Sequence, residues 1–168
     1  MTDTIVTRFL KDQCERGMAL AANSDVLDLV AMHDREDVPP QHYIAMYHCK
    51  SALRLRTGQI RVTESQFDIG IFFGQNHLRA VDPLRLVTWL GPANIVHPNI
   101  RPPFVCLGRI YKGIALVDIL YQVFEIITYV NWSSHDSLDA TGAQWARNHQ
   151  QLFPVDRKTL VRRKPSRD

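Results

Sequence analysis

The sequence is first informative through what it lacks. It has no run of about 18 apolar residues, so no segment is predicted to span a membrane. Its N-terminus lacks the basic start and apolar stretch of a signal peptide. Three cysteines in 168 residues are too few for a disulfide framework. We therefore expect a cytoplasmic protein with free thiols, because the cytoplasm is a reducing compartment.

Other missing features exclude several kinds of ligand. No glycine-rich phosphate-binding loop is present, so the chain is not expected to use ATP by itself. No basic stripe with interleaved aromatic residues crosses its body, which argues against nucleic-acid binding. A zinc site is also disfavoured, because His42 and His48 would share one face of a strand and Cys49 would point to the other. We expect no cofactor, no metal and no nucleic-acid or membrane partner.

The remaining sequence is typical of one globular domain. Hydrophobic residues make up 45% and charged residues 22% of the chain, and no repeat or linker divides it. We place the domain at 1–160. The segment 161–168 is expected to be a disordered tail, because it holds four basic residues and one acid and follows the last apolar stretch.

Hydrophobic periodicity predicts helices at both ends of the chain. An amphipathic helix is predicted over about 4–21. The strongest helical pattern covers 114–130 and is apolar enough to be buried against a sheet. A short helix is predicted over about 139–148, with Asp139 as its N-cap.

Four strand-like runs lie between the first two of these helices. They cover 26–32, 42–49, 67–73 and 84–90. The interval 51–66 also carries apolar residues that favour further pairing, whereas 91–113 contains four prolines and little regular pattern. Strands in one run with helices at both ends predict an α+β layer, in which helices cover one antiparallel sheet.

The irregular segment contains the residues with the clearest chemistry. A His-Pro-Asn triplet at 97–99 is followed, after a spacer with two prolines, by Cys-Leu at 106–107. Cys106 therefore lies in a predicted loop, where a partner protein can reach it. Cys14 and Cys49 lie on apolar elements and are predicted to be buried. An accessible thiol suits covalent catalysis, since a thiolate attacks carbonyl carbon readily and also leaves readily.

This His-Pro-Asn to Cys-Leu pattern resembles the active-site signature of ubiquitin-conjugating enzymes. The predicted element order resembles the fold of that family, and the similarity covers roughly 4–160. The spacer before Cys106 is slightly shorter than in typical eukaryotic members, and the usual tryptophan after the cysteine is absent. In both respects the chain is similar to divergent bacterial members from ubiquitin-like conjugation operons, some of which act in antiphage defence.

The resemblance implies a particular fold and a particular transferase reaction. The fold would be UBC-like: a four-stranded antiparallel meander with an N-terminal helix, a buried central helix and a short C-terminal helix. A separate activating enzyme would load a ubiquitin-like modifier onto Cys106 as a thioester. The modifier would then pass to an amine, normally a lysine of a protein target.

The same resemblance implies roles for three more residues. Asn99 would stabilise the oxyanion formed during transfer, or hold the loop that does so. His97 would be structural and bond the loop backbone. Asp136 is the best match in the loop 131–138 for a residue that orients or deprotonates the lysine. An acid at a helix start, favoured by the helix dipole, explains Asp136 equally well, and His135 is a further candidate base.

Two other functional classes stay open. One is a non-catalytic variant of the same fold that only binds a ubiquitin-like protein, although such variants usually lack the cysteine. The other is a cysteine hydrolase that uses Cys106 and His97, since catalytic partners are set by geometry and not by spacing. A hydrolase would need an orienting third group and an oxyanion hole, and the sequence has no separate motif for either.

Overall fold

The protein is an α+β structure, as the sequence predicts. The computed structural model describes residues 4–33, 35 and 37–162. The helices are α1 (Thr4–Ala22), α2 (Pro83–Leu86), α3 (Leu116–Ile127) and α4 (Ala140–Asn148). The strands are β1 (Leu27–Met32), β2 (His42–Arg54), β3 (Ile60–Phe72), β4 (Val87–Gly91), β5 (Ile100–Arg101) and β6 (Phe104–Val105). They form one antiparallel sheet in the order β1-β2-β3-β4-β6-β5.

The prediction of four strands is wrong, because the segment 91–113 is not wholly irregular. Strands β5 and β6 lie within it and pair with each other, and β6 joins β4 through Phe104 and Thr88. Each of the two strands has only two residues. A strand this short shows no alternation of apolar and polar side chains, so the hydrophobic pattern could not reveal it.

Strands β2 and β3 are longer than the sequence predicts. Each has 13 residues, and they pair along their whole length, from His42↔Phe72 to Arg54↔Ile60. The interval 51–66 forms the distal half of this hairpin. Residues 60, 62 and 65 are half-buried there and several of their neighbours are exposed, which explains why the pattern in this interval is weak.

The helices lie near their predicted positions. Asp139 is confirmed as the N-cap of α4, since its side chain accepts a hydrogen bond from the Thr141 backbone N–H at 3.0 Å. Helix α3 ends at Ile127 and not at the predicted residue 130. Residues 84–86, predicted as strand, belong to α2, because Pro83 starts a helical turn and the preceding aspartate caps it. No helix in the described ranges is long and apolar enough to cross a bilayer.

Helix α3 is fixed at both ends by side chains from other elements. It packs against α1 and the sheet. Its own N-cap residue, Ala115, has no side-chain acceptor. Gln13 of α1, which is 2% exposed, accepts a hydrogen bond from the Leu116 N–H at 2.9 Å instead. At the other end, the Ser51 hydroxyl of β2 donates to the Ile127 carbonyl at 2.7 Å. Helix α3 is therefore fixed relative to α1 at its start and relative to β2 at its end.

The C-terminal segment after α4 returns to the sheet. Asp156 is buried, and its carboxylate accepts hydrogen bonds from the backbone N–H groups of Lys50, at 2.6 Å, and Lys158, at 2.9 Å. Arg162 then contacts the turn that follows α1, with its Nε 2.6 Å from the Asp25 carboxylate. Its backbone N–H also donates to the Asn23 carbonyl at 3.0 Å. Residues 163–168 of the predicted tail lie outside the described residues.

Candidate active site

Cys106 is the accessible thiol of this chain. It follows β6 directly and is exposed, whereas Cys49 is fully buried in β2 and Cys14 is half-buried on α1. The backbone N–H of Cys106 donates to the Asn99 carbonyl at 2.8 Å. The β5–β6 hairpin therefore folds the cysteine back against the His-Pro-Asn segment.

This difference in exposure predicts the order in which the thiols react. Burial raises the pKa of the Cys49 thiol to about 12, and the nearby Asp156 carboxylate adds to the increase. Near pH 8 Cys49 should therefore contain almost no thiolate, and iodoacetamide should modify Cys106 first. Peptide mapping by mass spectrometry after short exposure would measure the order. A Cys106→Ala variant should lose the fast phase, and native Cys49 labelling as fast as that of Cys106 would contradict the prediction.

The side chain of Asn99 is oriented by its partner. Its Oδ1 accepts a hydrogen bond from the Ser133 backbone N–H at 3.0 Å, and the residue is only 9% exposed. Because the Ser133 N–H needs an acceptor, the Asn99 Oδ1 faces Ser133 and the Nδ2 points away from it. No described residue accepts a hydrogen bond from Nδ2. The Asn99 side chain is thus held in place, and its Nδ2 is a hydrogen-bond donor without an acceptor among the described residues.

His97 is buried and bonds the backbone of the loop that holds Asn99. It is fully buried, and its Nδ1 accepts a hydrogen bond from the Asn99 N–H at 3.0 Å, which leaves the proton of the neutral ring on Nε2. Nε2 has no hydrogen bond of ordinary geometry within the described ranges. Burial lowers the pKa of His97 to about 3, against a smaller opposite effect from the Ile126 backbone. The imidazole is therefore neutral and a weak base, and its Nδ1 lone pair is already occupied by the Asn99 N–H.

A neutral buried His97 predicts that acid destabilises the fold. Its pKa is about 3 in the folded chain and 6.5 ordinarily, so the unfolded state binds more protons between these values. The free energy of unfolding should therefore fall as the pH drops below about 6.5, by about 1.4 kcal/mol per pH unit. Urea denaturation between about pH 7 and about pH 5 measures this slope.

A second histidine must be separated from His97 in that experiment. Burial also lowers the pKa of His77, whose ring bonds the Ile114 carbonyl at 2.8 Å, and it acts in the same direction. A His77→Gln variant removes its share, and the slope that remains belongs mainly to His97. A stability that stays constant from about pH 6.5 to about pH 5 in this variant would contradict the prediction.

The loop between α3 and α4 is bound to the His-Pro-Asn segment at two points. The first is the hydrogen bond from Ser133 to the Asn99 side chain. In the second, the Leu138 N–H donates to the Pro98 carbonyl at 2.8 Å. Asp136 lies between the two anchors and is exposed. The structure thus brings the loop of Asp136 to the segment of Asn99 and leaves its carboxylate in solvent.

Helix α4 rests on the same segment through a glycine. A Cβ atom at Gly142 would lie 2.6 Å from the backbone carbon of His97, so only a residue without a side chain fits there. The Asp139 N–H adds a long hydrogen bond, 3.3 Å, to the Pro98 carbonyl. The sequence analysis did not identify Gly142 or Ser133 as site residues. Gly142 is needed because α4 comes close to the His97 backbone, and Ser133 contributes its own backbone N–H to Asn99. Neither role leaves a local pattern in the sequence.

An open groove of about 750 Å³ begins next to the cysteine, at Leu107. It lies between 107–111 and α3, and its walls include Tyr111, Tyr121, Asp118 and Glu125. The loop side is held to α3, since the Gln122 Nε2 donates to the Arg109 carbonyl at 3.1 Å. Leu107, the residue that follows the cysteine, is thus part of the groove lining.

The arrangement can support covalent acyl chemistry. An exposed thiol and a fixed amide donor are suited to holding an acyl group on sulfur and to stabilising its attack by a nucleophile. The described part of the chain contains no cluster of three or more His, Cys, Asp or Glu residues that could hold a metal ion. No family model matches the sequence, and no curated protein matches it either. The functional assignment therefore depends on the geometry of the site and on the motif.

Proposed function

We propose that this protein is a conjugating enzyme for a ubiquitin-like modifier. Cys106 accepts the modifier as a thioester from an activating enzyme and transfers it to a lysine amine of a protein target. The proposal depends most on one observation: the exposed Cys106 is hydrogen-bonded through its backbone to Asn99, whose side-chain Nδ2 has no partner among the described residues.

The order of the elements supports this proposal. Helix α1, the consecutive strands β1 to β4, a cysteine-bearing segment, the buried helix α3 and the short helix α4 follow one another as in the UBC fold that the motif implies. The two additional strands lie inside the cysteine-bearing segment. They therefore leave the four-stranded meander intact and extend it by one small hairpin.

The reaction consists of two acyl transfers. In the first, the Cys106 thiolate attacks the thioester carbonyl that joins the modifier to the activating enzyme, a new S–C bond forms, and the enzyme's thiolate leaves. In the second, the lysine amine attacks the same carbonyl, an amide forms, and the Cys106 thiolate leaves. The proton of the amine passes to a base, and neither step involves oxidation or reduction.

Asn99 and Asp136 have separate roles in the second step. The Asn99 Nδ2 donates a hydrogen bond to the oxygen that becomes negative when the amine attacks. Asp136 provides a carboxylate on the adjacent loop that orients the lysine ammonium or accepts its proton. The groove that begins at Leu107 holds the C-terminal segment of the modifier, whose terminal carbonyl must reach the thiol.

The proposal includes partners and a setting that follow from the resemblance. The chain needs a separate activating enzyme, because its sequence has no phosphate-binding loop. A bacterial cytoplasmic enzyme that acts in antiphage defence is the setting we propose. The hydrolase alternative has no support from the site, since the buried His97 ring bonds the backbone of Asn99 and not Cys106. The exposed cysteine likewise favours an enzyme over a purely binding variant.

Reconstitution tests the proposal directly. The protein is incubated with ATP, a cognate activating enzyme and its ubiquitin-like modifier. We expect an adduct whose mass is the sum of the protein and one modifier, and a thiol reductant should cleave it. Free lysine should then discharge the adduct. If the activating enzyme becomes charged and the protein forms no adduct, the proposal is wrong.

A further inference from the structure

The chain leaves helix α3 through an unusual residue. Tyr129 follows the C-cap Thr128 and has φ of 58°. Among the non-glycine residues that the structure describes, it alone has a positive φ. Its N–H donates to the Ile126 carbonyl, and the next N–H donates to the Glu125 carbonyl. This is the Schellman motif, whose left-handed position is usually glycine. A tyrosine in this conformation is strained, and such strain persists only where surrounding contacts hold it.

The contacts of Tyr129 lead to the segment before Asn99. The side chain is 1% exposed, and its hydroxyl donates to the Val96 carbonyl. Its ring centroid lies 4.2 Å from that of His97 and 4.6 Å from that of Phe153. The Tyr129 side chain thus holds two consecutive residues, Val96 through its carbonyl and His97 through its ring.

The backbone of Tyr129 leads to the other side of Asn99. The left-handed turn ends α3 and directs the chain into the loop that begins at residue 131. Four residues after Tyr129, the Ser133 N–H reaches the Asn99 Oδ1. The side chain of Tyr129 therefore holds the residues that precede Asn99, and its backbone turn leads the chain to Ser133, whose N–H bonds the Asn99 side chain.

We infer that Tyr129 is a positioning residue for the transfer step, because it orients the Asn99 amide toward the reacting carbonyl without contacting substrate. This inference rests on the proposed function, since it assigns the residue to the second of the two acyl transfers. It also explains why a glycine does not occupy the left-handed position, since glycine would provide the turn but neither the hydroxyl nor the ring.

The variant Tyr129→Phe tests the inference, because it keeps the ring and removes only the hydroxyl that bonds Val96. We expect loading of Cys106 to be unchanged. Discharge of the loaded enzyme by free lysine, measured in a single turnover, should be roughly tenfold slower because the amide is displaced. If Tyr129 acts through Asn99, the double variant with Asn99→Ala should be no slower than Asn99→Ala alone.

Tyr47→Phe is the matched control. Tyr47 is also fully buried, and its hydroxyl also donates to a backbone carbonyl, that of Leu120 at 2.9 Å. This variant should lose similar stability and discharge at the normal rate. A Tyr129→Phe enzyme that discharges as fast as Tyr47→Phe, or whose effect multiplies with that of Asn99→Ala, would overturn the inference.

A second measurement does not require activity. The side-chain amide resonance of Asn99 in a ¹H–¹⁵N spectrum should shift in Tyr129→Phe and stay in place in Tyr47→Phe. If Tyr129→Phe does not fold, Phe153→Leu removes the ring stacked on Tyr129 and should shift the same resonance and slow the same step. An unchanged resonance would refute the positioning role. If the wild type forms no thioester and the resonance still shifts in Tyr129→Phe, the proposed function is wrong, whereas the orientation of the Asn99 amide by Tyr129 is upheld.

Discussion

Replacement of Cys106 by alanine is expected to abolish the thiol-sensitive adduct completely. In the proposed reaction the Cys106 sulfur carries the modifier, and neither other cysteine is accessible enough to replace it. Cys49 is fully buried and its pKa is raised to about 12, and Cys14 is half-buried between α1 and the core. Electrophoresis without reductant, with and without added thiol, would measure the adduct.

Two further variants make this result specific. Cys106→Ser should form an adduct through its hydroxyl, and this oxyester should resist thiols and be cleaved by hydroxide. Cys14→Ala should retain the ordinary thiol-sensitive adduct. An adduct that persists unchanged in Cys106→Ala would mean that another residue is loaded, and the proposed function would then be wrong.

The parts of the fold that the sequence predicts are those with long local patterns. Helix α3 has buried apolar residues at helical spacing along its whole length, and β3 alternates buried and half-buried residues from Phe67 onward. The N-cap Asp139 is equally local, since its carboxylate bonds the N–H two residues later. Such features depend on residues near in sequence, so a single sequence is enough to find them.

The parts that escape prediction are set by contacts between distant segments. Strands β5 and β6 exist because they extend the edge of β4, and two residues carry no pattern of their own. Val130 fits the helical period of α3, and yet the helix ends three residues earlier. It ends because Tyr129 adopts a left-handed conformation that its buried ring and hydroxyl hold in place. Tertiary contacts override local propensity at that position.

The candidate site divides in the same way. The motif indicates Cys106 and Asn99, and the structure joins them by a backbone hydrogen bond. The partner of the Asn99 side chain cannot be read from the sequence, because the Ser133 backbone N–H would serve with almost any side chain at that position. The identity of a residue therefore predicts a site where its side chain does the chemistry, and it predicts nothing where the backbone makes the contact.

Replacement of Asn99 by alanine should separate the two acyl transfers. Loading of Cys106 should survive, whereas discharge by lysine should slow by about 10²–10³-fold. This corresponds to the loss of one oxyanion donor, about 2.7–4 kcal/mol of transition-state stabilisation. Single-turnover discharge of preloaded enzyme by free lysine measures the second step without the first. Equal loss of both steps would indicate a misfolded loop and contradict a specific role.

Two roles are proposed for Asn99, the oxyanion donor and the anchor of the loop, and two variants distinguish them. Asn99→Asp keeps an oxygen that can accept from Ser133 and removes the Nδ2 donor. Ser133→Pro removes the backbone N–H and leaves the Asn99 amide intact. If the donor stabilises the oxyanion, Asn99→Asp should discharge at least as slowly as Asn99→Ala. If anchoring of the loop is the main role, Asn99→Asp should stay near the wild-type rate and Ser133→Pro should be the slow variant, because only the latter breaks the anchor.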